Sequence, residues 1–519
     1  MEKTMVSPPA ASPSSISPAG SSHLGKRHEL SEDAQDSSGA GYNGGGGRKS
    51  SSSGGSRPKR AQVSRACARC KNLRRACNEY RPCKRCVDAG LGDQCLGLAG
   101  PVSLAWVSDG SQAFGHVPHE AVQRMADLLP VRVMDYCVDR FFARLHPTIP
   151  ILTPEYVAQM KVIAGPSEPG MEAHCLLTAV CALVLLQVEE PESLWLQGLI
   201  PEKNALHGRM LFEEALAAHR NFARRSNPSF EQCLLTFFLY ACHSALFHHS
   251  QAFLFLREAT TLFLLLRMNT ESAPRALADR LFWVLLVSER SHGIRYRRPV
   301  TLQITAESPS MDNDPTLSGF WSLAALFTPL DTSFIALLNQ EKVATPPSNA
   351  ALTYIETAVN SALRSTSDLK DTQKSNLRVT QLWLRIILWQ LRLRFGYLAE
   401  ESVHPSMTYH FPLEVAKDLV LSTRDLPVDS IKVHGVGLTE KLFDIASAAV
   451  DVLARVPITP ASPHRSMGGT GPEDDLNYMR RLITRLPGGN SIYDDLLDKH
   501  IQQAVPNMAI AGASPRPPP

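Results

Sequence analysis

Six cysteines, Cys67, Cys70, Cys77, Cys83, Cys86 and Cys95, crowd into one short stretch of a 519-residue chain. They form two CxxC pairs, each followed by one more cysteine, after six residues in the first half and eight in the second. A CxxC at the start of a helical turn lets two thiolates converge on one tetrahedral ion, and a third can arrive from the segment that follows. Three thiolates per half leave each ion one ligand short, and no histidine lies between Cys67 and Cys95 to supply it. Two zinc ions sharing two bridging thiolates remove the shortage, because six cysteines then fill eight ligand positions. In a reducing compartment a cluster this tight reads as a metal site and not as disulfides. The other five cysteines, Cys137, Cys175, Cys181, Cys233 and Cys242, stand in apolar surroundings and read as small buried hydrophobes.

Charge gathers at the same place. The chain carries a formal net charge of +3, but residues 57–95 hold eleven Lys or Arg against three acidic residues, +8, which leaves −5 for the remainder. Six thiolates with two Zn²⁺ contribute about −2, so the surrounding cations reverse the sign and give the small module a positive surface. Such a surface suits phosphate, where released counterions provide an affinity that falls with salt.

The six-cysteine spacing, the basic first half and Pro82 directly before Cys83 resemble the fungal binuclear zinc cluster domain. The resemblance implies two short helices around two zinc ions, with Cys67 and Cys83 as the bridging ligands. It also implies double-stranded DNA as partner, CGG-like triplets as target, and the stretch Lys71 to Ala76 at the major groove. This chain departs from the usual pattern there: Leu73 and Ala76 stand where the family commonly has basic residues, and Arg75 where it commonly has an apolar one. Arg74 keeps its basic character. Arg74, helped by Lys71 or Arg75, is therefore assigned to guanine O6 and N7, the commonest specific contact, and Lys84 and Arg85 to phosphate.

The flanking elements follow from composition. Residues 1–64 are rich in Ser and Gly, with a single aromatic in the first 56 (Tyr42), and read as disordered. They contain the basic run 57–60, a nuclear import candidate. No apolar N-terminal run reads as a secretory signal. The zinc cluster takes residues 65–96 and a linker 97–128. No apolar heptads follow the cluster, so a coiled coil does not adjoin it, and a homodimer would have to form through the rest of the chain. Helical periodicity dominates 129–345, with breakers such as Asn227-Pro228 and Pro274. A polar linker or loop is expected over 346–376, a second helical block over 377–503 and a disordered tail over 504–519. The longest apolar runs are 14 or 15 residues, a length suited to buried helices and too short for a bilayer. In the second block Arg378, Arg385 and Arg392 recur every seven residues and read as a solvated stripe. The fold class expected is thus a small zinc-cluster domain plus a large all-α regulatory domain.

Several stretches of that body look familiar. Phe141 to Leu152 (FFARLHPTIPIL) resembles the start of the fungal middle homology region, an all-helical regulatory domain. Leu281 to Arg290 followed by Tyr296-Arg297-Arg298-Pro299, then Arg378 to Arg385, and His434-Gly435-Val436-Gly437 with Glu440-Lys441, look like the branch that includes the starch and maltose regulators. The resemblance implies a nuclear, sequence-specific regulator of RNA polymerase II transcription, an activator more often than a repressor, acting with the transcription machinery or co-regulators. It points to control of a metabolic pathway or a biosynthetic gene cluster.

Other chemistry is scarce. No GxSxG, HExxH or phosphate loop is present, so enzymatic activity is not expected. His243, His248 and His249 offer donor nitrogens for a metal but no carboxylate at matching spacing. Arg295, Arg297 and Arg298 could meet an anionic effector or simply cap a helix. Interleaved aromatics, among them Phe237, Phe255 and Phe282, leave room for a small-molecule effector within an otherwise ordinary core. A membrane partner is not expected. The competing function is a zinc-dependent co-regulator or scaffold whose basic head binds nucleic acid without sequence choice.

Overall fold

The computed structural model describes Cys70, Leu73 and residues 127–165, 170–188, 193–222, 228–267, 275–311, 314–340, 346–363, 369–456 and 471–504. Residues Asp109–Pro519 cluster as one unit, distinct from Met1–Ser108. Among the described residues no strand forms beyond a lone bridge between Ala399 and Thr408. The expected all-α body is observed.

The first part comprises α1 (Val131–Arg140), extended by a π-helical turn Phe141–Leu145, then α2 (Pro154–Ile163), α3 (Gly170–Gln187), α4 (Asn204–Phe222), α5 (Phe230–Ala245), α6 (His249–Arg267) and α7 (Arg275–Tyr296). Local chemistry sets several starts: Thr153 caps the amide of Tyr156 ahead of Pro154, and Ser229 caps that of Gln232. α3 is apolar all round, the pattern of a helix surrounded by protein. It packs on α1, α2, α4 and α5. At eighteen residues it is longer than the apolar run seen in the sequence and is long and apolar enough to cross a membrane, but 83% of it is buried inside the core. Cys137, Cys175, Cys181, Cys233 and Cys242 are all fully buried, as expected.

Two short helices, α8 (Ser318–Phe327) and α9 (Thr332–Leu338), connect to the second part. Arg290 of α7 donates to the terminal carbonyls of Phe327 and Thr328 at 2.6 and 3.1 Å, so a buried guanidinium satisfies the end of α8. The second part contains α10 (Asn349–Ser361), α11 (Asp371–Phe395), α12 (Phe411–Thr423), α13 (Val436–Arg455), α14 (Pro472–Thr484) and α15 (Asp494–Ala504). α11 is its axis, packed against α8, α10, α12 and α13, while α5 also touches α13.

Two expectations need correction. The stretch 346–376, read as linker, holds α10 and the first turn of α11. Its polar surface concealed a helix capped by Ser348 on the amide of Ala351, with Leu352 and Val359 buried. Nor are Arg378, Arg385 and Arg392 a solvated stripe. Arg392 is fully buried and pairs with Glu356 of α10 at 2.8 Å, Arg385 pairs with Asp418 of α12 at 3.1 Å, and Arg378 donates to Gln381 and Ser422. The sevenfold period marks a seam against neighbouring helices, because charge at an interface is tolerated where each guanidinium meets a carboxylate or an amide oxygen.

Candidate functional site

Of the residues assigned to zinc and DNA, only Cys70 lies among those described: it is helical and fully buried, and Leu73 nearby is half exposed in a turn. Cys67, Cys77, Cys83, Cys86 and Cys95, with Lys71, Arg74, Arg75, Lys84 and Arg85, lie outside the described residues. Within the body, the sequence motifs converge elsewhere. A cavity of about 220 Å³ is walled by the π-turn after α1, the end of α3, α5, α7, α8 and the start of α13. Its lining joins Phe237, His249 and Arg295-Tyr296 to the stretch His434 to Lys441, segments read separately in the sequence.

The turn into α13 shows why glycine is needed. Gly435 takes φ +64°, the left-handed region that side chains disfavour, and a Cβ there would meet the Gln187 side chain at 3.2 Å. Gln187, at the end of α3, donates to the Val433 carbonyl at 2.7 Å and ties this turn to the first part of the fold. His434 bonds the Thr372 carbonyl at 2.7 Å. α13 then begins at Val436 with no side-chain cap from Gly435. The glycines thus serve the start of a helix.

Beside the turn is a buried charge network. Glu440 accepts the hydroxyl of Tyr296 at 2.8 and 2.9 Å and that of Tyr493 at 2.5 Å, and pairs with Arg295 Nε at 2.5 Å. Arg295 reaches Asp444 as well, at 3.3 Å, and Trp383 Nε1 donates to the same carboxylate oxygen at 2.9 Å. Burial opposes charge on Arg295, but Asp444 and Glu440 outweigh it and raise its pKa. Burial, reinforced by Glu440, pushes both tyrosines well above their ordinary range, so they remain donors.

Lys441 is the exception. Its Nζ donates to Thr380 Oγ1 at 2.9 Å and lies 5.2 Å from the Trp383 ring centre and 5.9 Å from that of Phe327. Among the described residues it forms no ion pair. Burial first, then the nearby Arg295 charge, lowers its pKa to about 7, against the opposing pull of Glu440. Two histidines in the wall are held neutral: burial lowers His292 to about 3, with His249 and Arg298 adding to the shift, and lowers His434 to about 4.

The other candidates resolve as structure. His243 Nδ1 lies 3.3 Å from His248 Nδ1, while His249 turns away to Tyr296 at 2.9 Å; among the described residues no group of three His, Cys, Asp or Glu could hold a metal. Arg297 donates to the Leu338 carbonyl at 3.0 Å, and Arg298 is exposed. A wider hollow of about 860 Å³ includes Trp389, Glu400, Glu401 and Tyr409, but Glu400 and Glu401 stand in solvent. The role of Tyr493 was not legible, since 53 residues separate it from Glu440.

Comparison with known proteins follows the same line. No protein-family model matches the chain. A probable sucrose utilization protein of Candida albicans is 25% identical over 251 residues, covering 46% of this chain and 50% of that protein, so the chain spans about half of its length. A maltose fermentation regulatory protein of Saccharomyces cerevisiae is 20% identical over 420 residues, 76% of this chain and 85% of its own. A respiratory transcription factor of the same yeast is 26% identical over 187 residues, 34% of this chain and 39% of its own. The similarity to fungal regulatory proteins, a maltose fermentation regulator and a transcription factor among them, thus extends over much of the chain.

Proposed function

We propose that the chain is a nuclear, sequence-specific activator of RNA polymerase II genes in a fungus. A zinc-folded head reads CGG-like triplets, and the helical body receives the signal. The observation that carries this reading is the similarity to a maltose regulator over 76% of the chain, joined to the six-cysteine spacing that precedes the helical body. Cys67, Cys70, Cys77, Cys83, Cys86 and Cys95 would hold two zinc ions. The buried Cys70 suits a ligand thiol, which must be withdrawn from water next to its ion. Bound zinc supplies the folding energy that so small a head cannot draw from its own core. Around it Arg74, with Lys71 or Arg75, donates to guanine, and Lys84 and Arg85 hold the backbone. The relatives favour sugar-use genes as targets.

Binding of the full-length protein to a duplex carrying CGG triplets and to its scrambled counterpart, at one fixed salt concentration, tests the reading. A specificity ratio of at least about 10³ is expected. Equal affinity for the two duplexes would overturn sequence-specific reading and favour the scaffold alternative.

A further inference from the structure

The cavity walled by α5, α7, α8 and the start of α13 has no part in DNA reading, and the fold leaves one polar group in its wall without a protein partner. Asn376, in the second turn of α11, lines the cavity and is only 8% exposed. Its Oδ1 accepts the hydroxyl of Thr380, one turn further along the helix, at 3.2 Å. Thr380 has that proton to give because its oxygen is met in turn by Lys441 Nζ at 2.9 Å. The run of bonds from Lys441 through Thr380 to Asn376 fixes which end of the amide is the oxygen. Nδ2, with two protons, is the polar end that remains, and among the described residues it meets no acceptor. Burying an amide with unmet protons opposes folding, so an acceptor inside the cavity is what this side chain is built to meet.

The rest of the wall decides what can carry that acceptor. Phe237, Val284, Phe320, Leu323 and Phe327 are buried and present carbon to the cavity. Of the charged groups, Arg295 pairs with Glu440, and Lys441 turns to Thr380. Burial keeps His292 and His434 uncharged. A sugar, with an oxygen on nearly every carbon, would lose more hydrogen bonds to water than this wall returns. A ring that is mostly carbon would instead gain by leaving water.

Size narrows the occupant further. An apolar cavity of roughly 150 Å³ takes benzene. A volume of about 220 Å³ therefore suits a single ring with a short substituent, about nine non-hydrogen atoms in all.

We propose that this cavity binds a small uncharged ring compound carrying a carbonyl, its oxygen accepting from Asn376 Nδ2 and its ring lying among Phe237, Phe320 and Phe327. The site belongs to the body and owes nothing to the head, so its failure and the failure of DNA reading are separate results.

Calorimetric titration of the full-length protein with acetophenone, α-methylstyrene, benzoate and glucose tests it. The first three are matched in size; the second replaces the carbonyl oxygen by carbon and the third adds a charge. Acetophenone is expected to bind at least ten-fold more tightly than benzoate or glucose. Asn376→Leu should lower the preference for acetophenone over α-methylstyrene about five-fold, the worth of one hydrogen bond, while leaving α-methylstyrene bound. Ala241→Phe, which places a benzene-sized ring in the cavity from α5, should abolish binding of both. The proposal is overturned if acetophenone does not bind, or if benzoate or glucose binds as tightly. It is equally overturned if the preference is unchanged in Asn376→Leu, or if acetophenone binds Ala241→Phe as it binds the wild type. The wild-type comparison and Ala241→Phe decide the matter even where Asn376→Leu fails to fold.

Discussion

Replacing Lys441 by methionine should make the protein more stable. The amine has a pKa of about 7 in the fold against its ordinary 10.5, and at 1.36 kcal/mol per unit the protonated form costs the native state about 5 kcal/mol. The interactions it makes in return are the Thr380 hydrogen bond, worth roughly 1 kcal/mol, and the ring faces of Trp383 and Phe327, worth about 1 to 2 kcal/mol. Methionine has similar length, conforms to an irregular space and carries no charge. The net gain at pH 6 should be about 2 to 3 kcal/mol. The sign with pH follows from proton counts. Between pH 7 and 10.5 the unfolded chain holds the proton that the native state has released, so the contribution of this group rises with pH in that window; below 7 both states hold it and the full cost is present. The wild-type and Met proteins should therefore converge by about pH 9. Urea unfolding of both at pH 6, 7.5 and 9 measures this. A Met variant less stable than wild type at pH 6, or a gap that does not shrink by pH 9, would refute the reasoning.

Three further outcomes are expected. Glu440→Gln leaves Arg295 with only Asp444 and should cost about 3 to 5 kcal/mol, as removal of one partner from a buried pair does; a loss under 1 kcal/mol in urea unfolding would show that Asp444 suffices. On DNA, Arg74→Ala should lose about 1 to 3 kcal/mol on the best site and blur one base position, while Lys84→Ala weakens all sequences alike and lowers the salt slope by about one. Equal losses on specific and random duplexes for Arg74→Ala would remove its assignment to guanine. Chelation of zinc, or Cys77→Ser, should unfold residues 65–95 and abolish DNA binding, which a gel shift in chelator checks directly.

The helices of the body were legible because their apolar positions recur at three and four residues and breakers separate them. Helices fill most of the described residues within 129–345 and 377–503, the two blocks where that periodicity was read. α10 was not, since Pro346-Pro347-Ser348 and a polar face look like a connection, and only burial of Leu352 and Val359 against α11 discloses the helix. The arginine seam was misread for a related reason: a period of seven shows that three residues share a face, not whether that face meets water or Glu356 and Asp418. The cavity's motifs could be picked out singly, at Arg295-Tyr296 and at His434 to Lys441. Their meeting could not, because Tyr296 and Glu440 are 144 residues apart and no local signal encodes that distance.

The wall that begins at Arg144 closes only with Lys441, which has a consequence for biosynthesis. The chain is made from its N-terminus, so the cysteine cluster is complete some 350 residues before the last cavity residue leaves the ribosome. A transcript truncated between the two encodes every zinc ligand and no complete cavity. Nonsense alleles across that interval would thus keep the sequence of the cysteine cluster while deleting the complete cavity, and they form a natural series for separating the two.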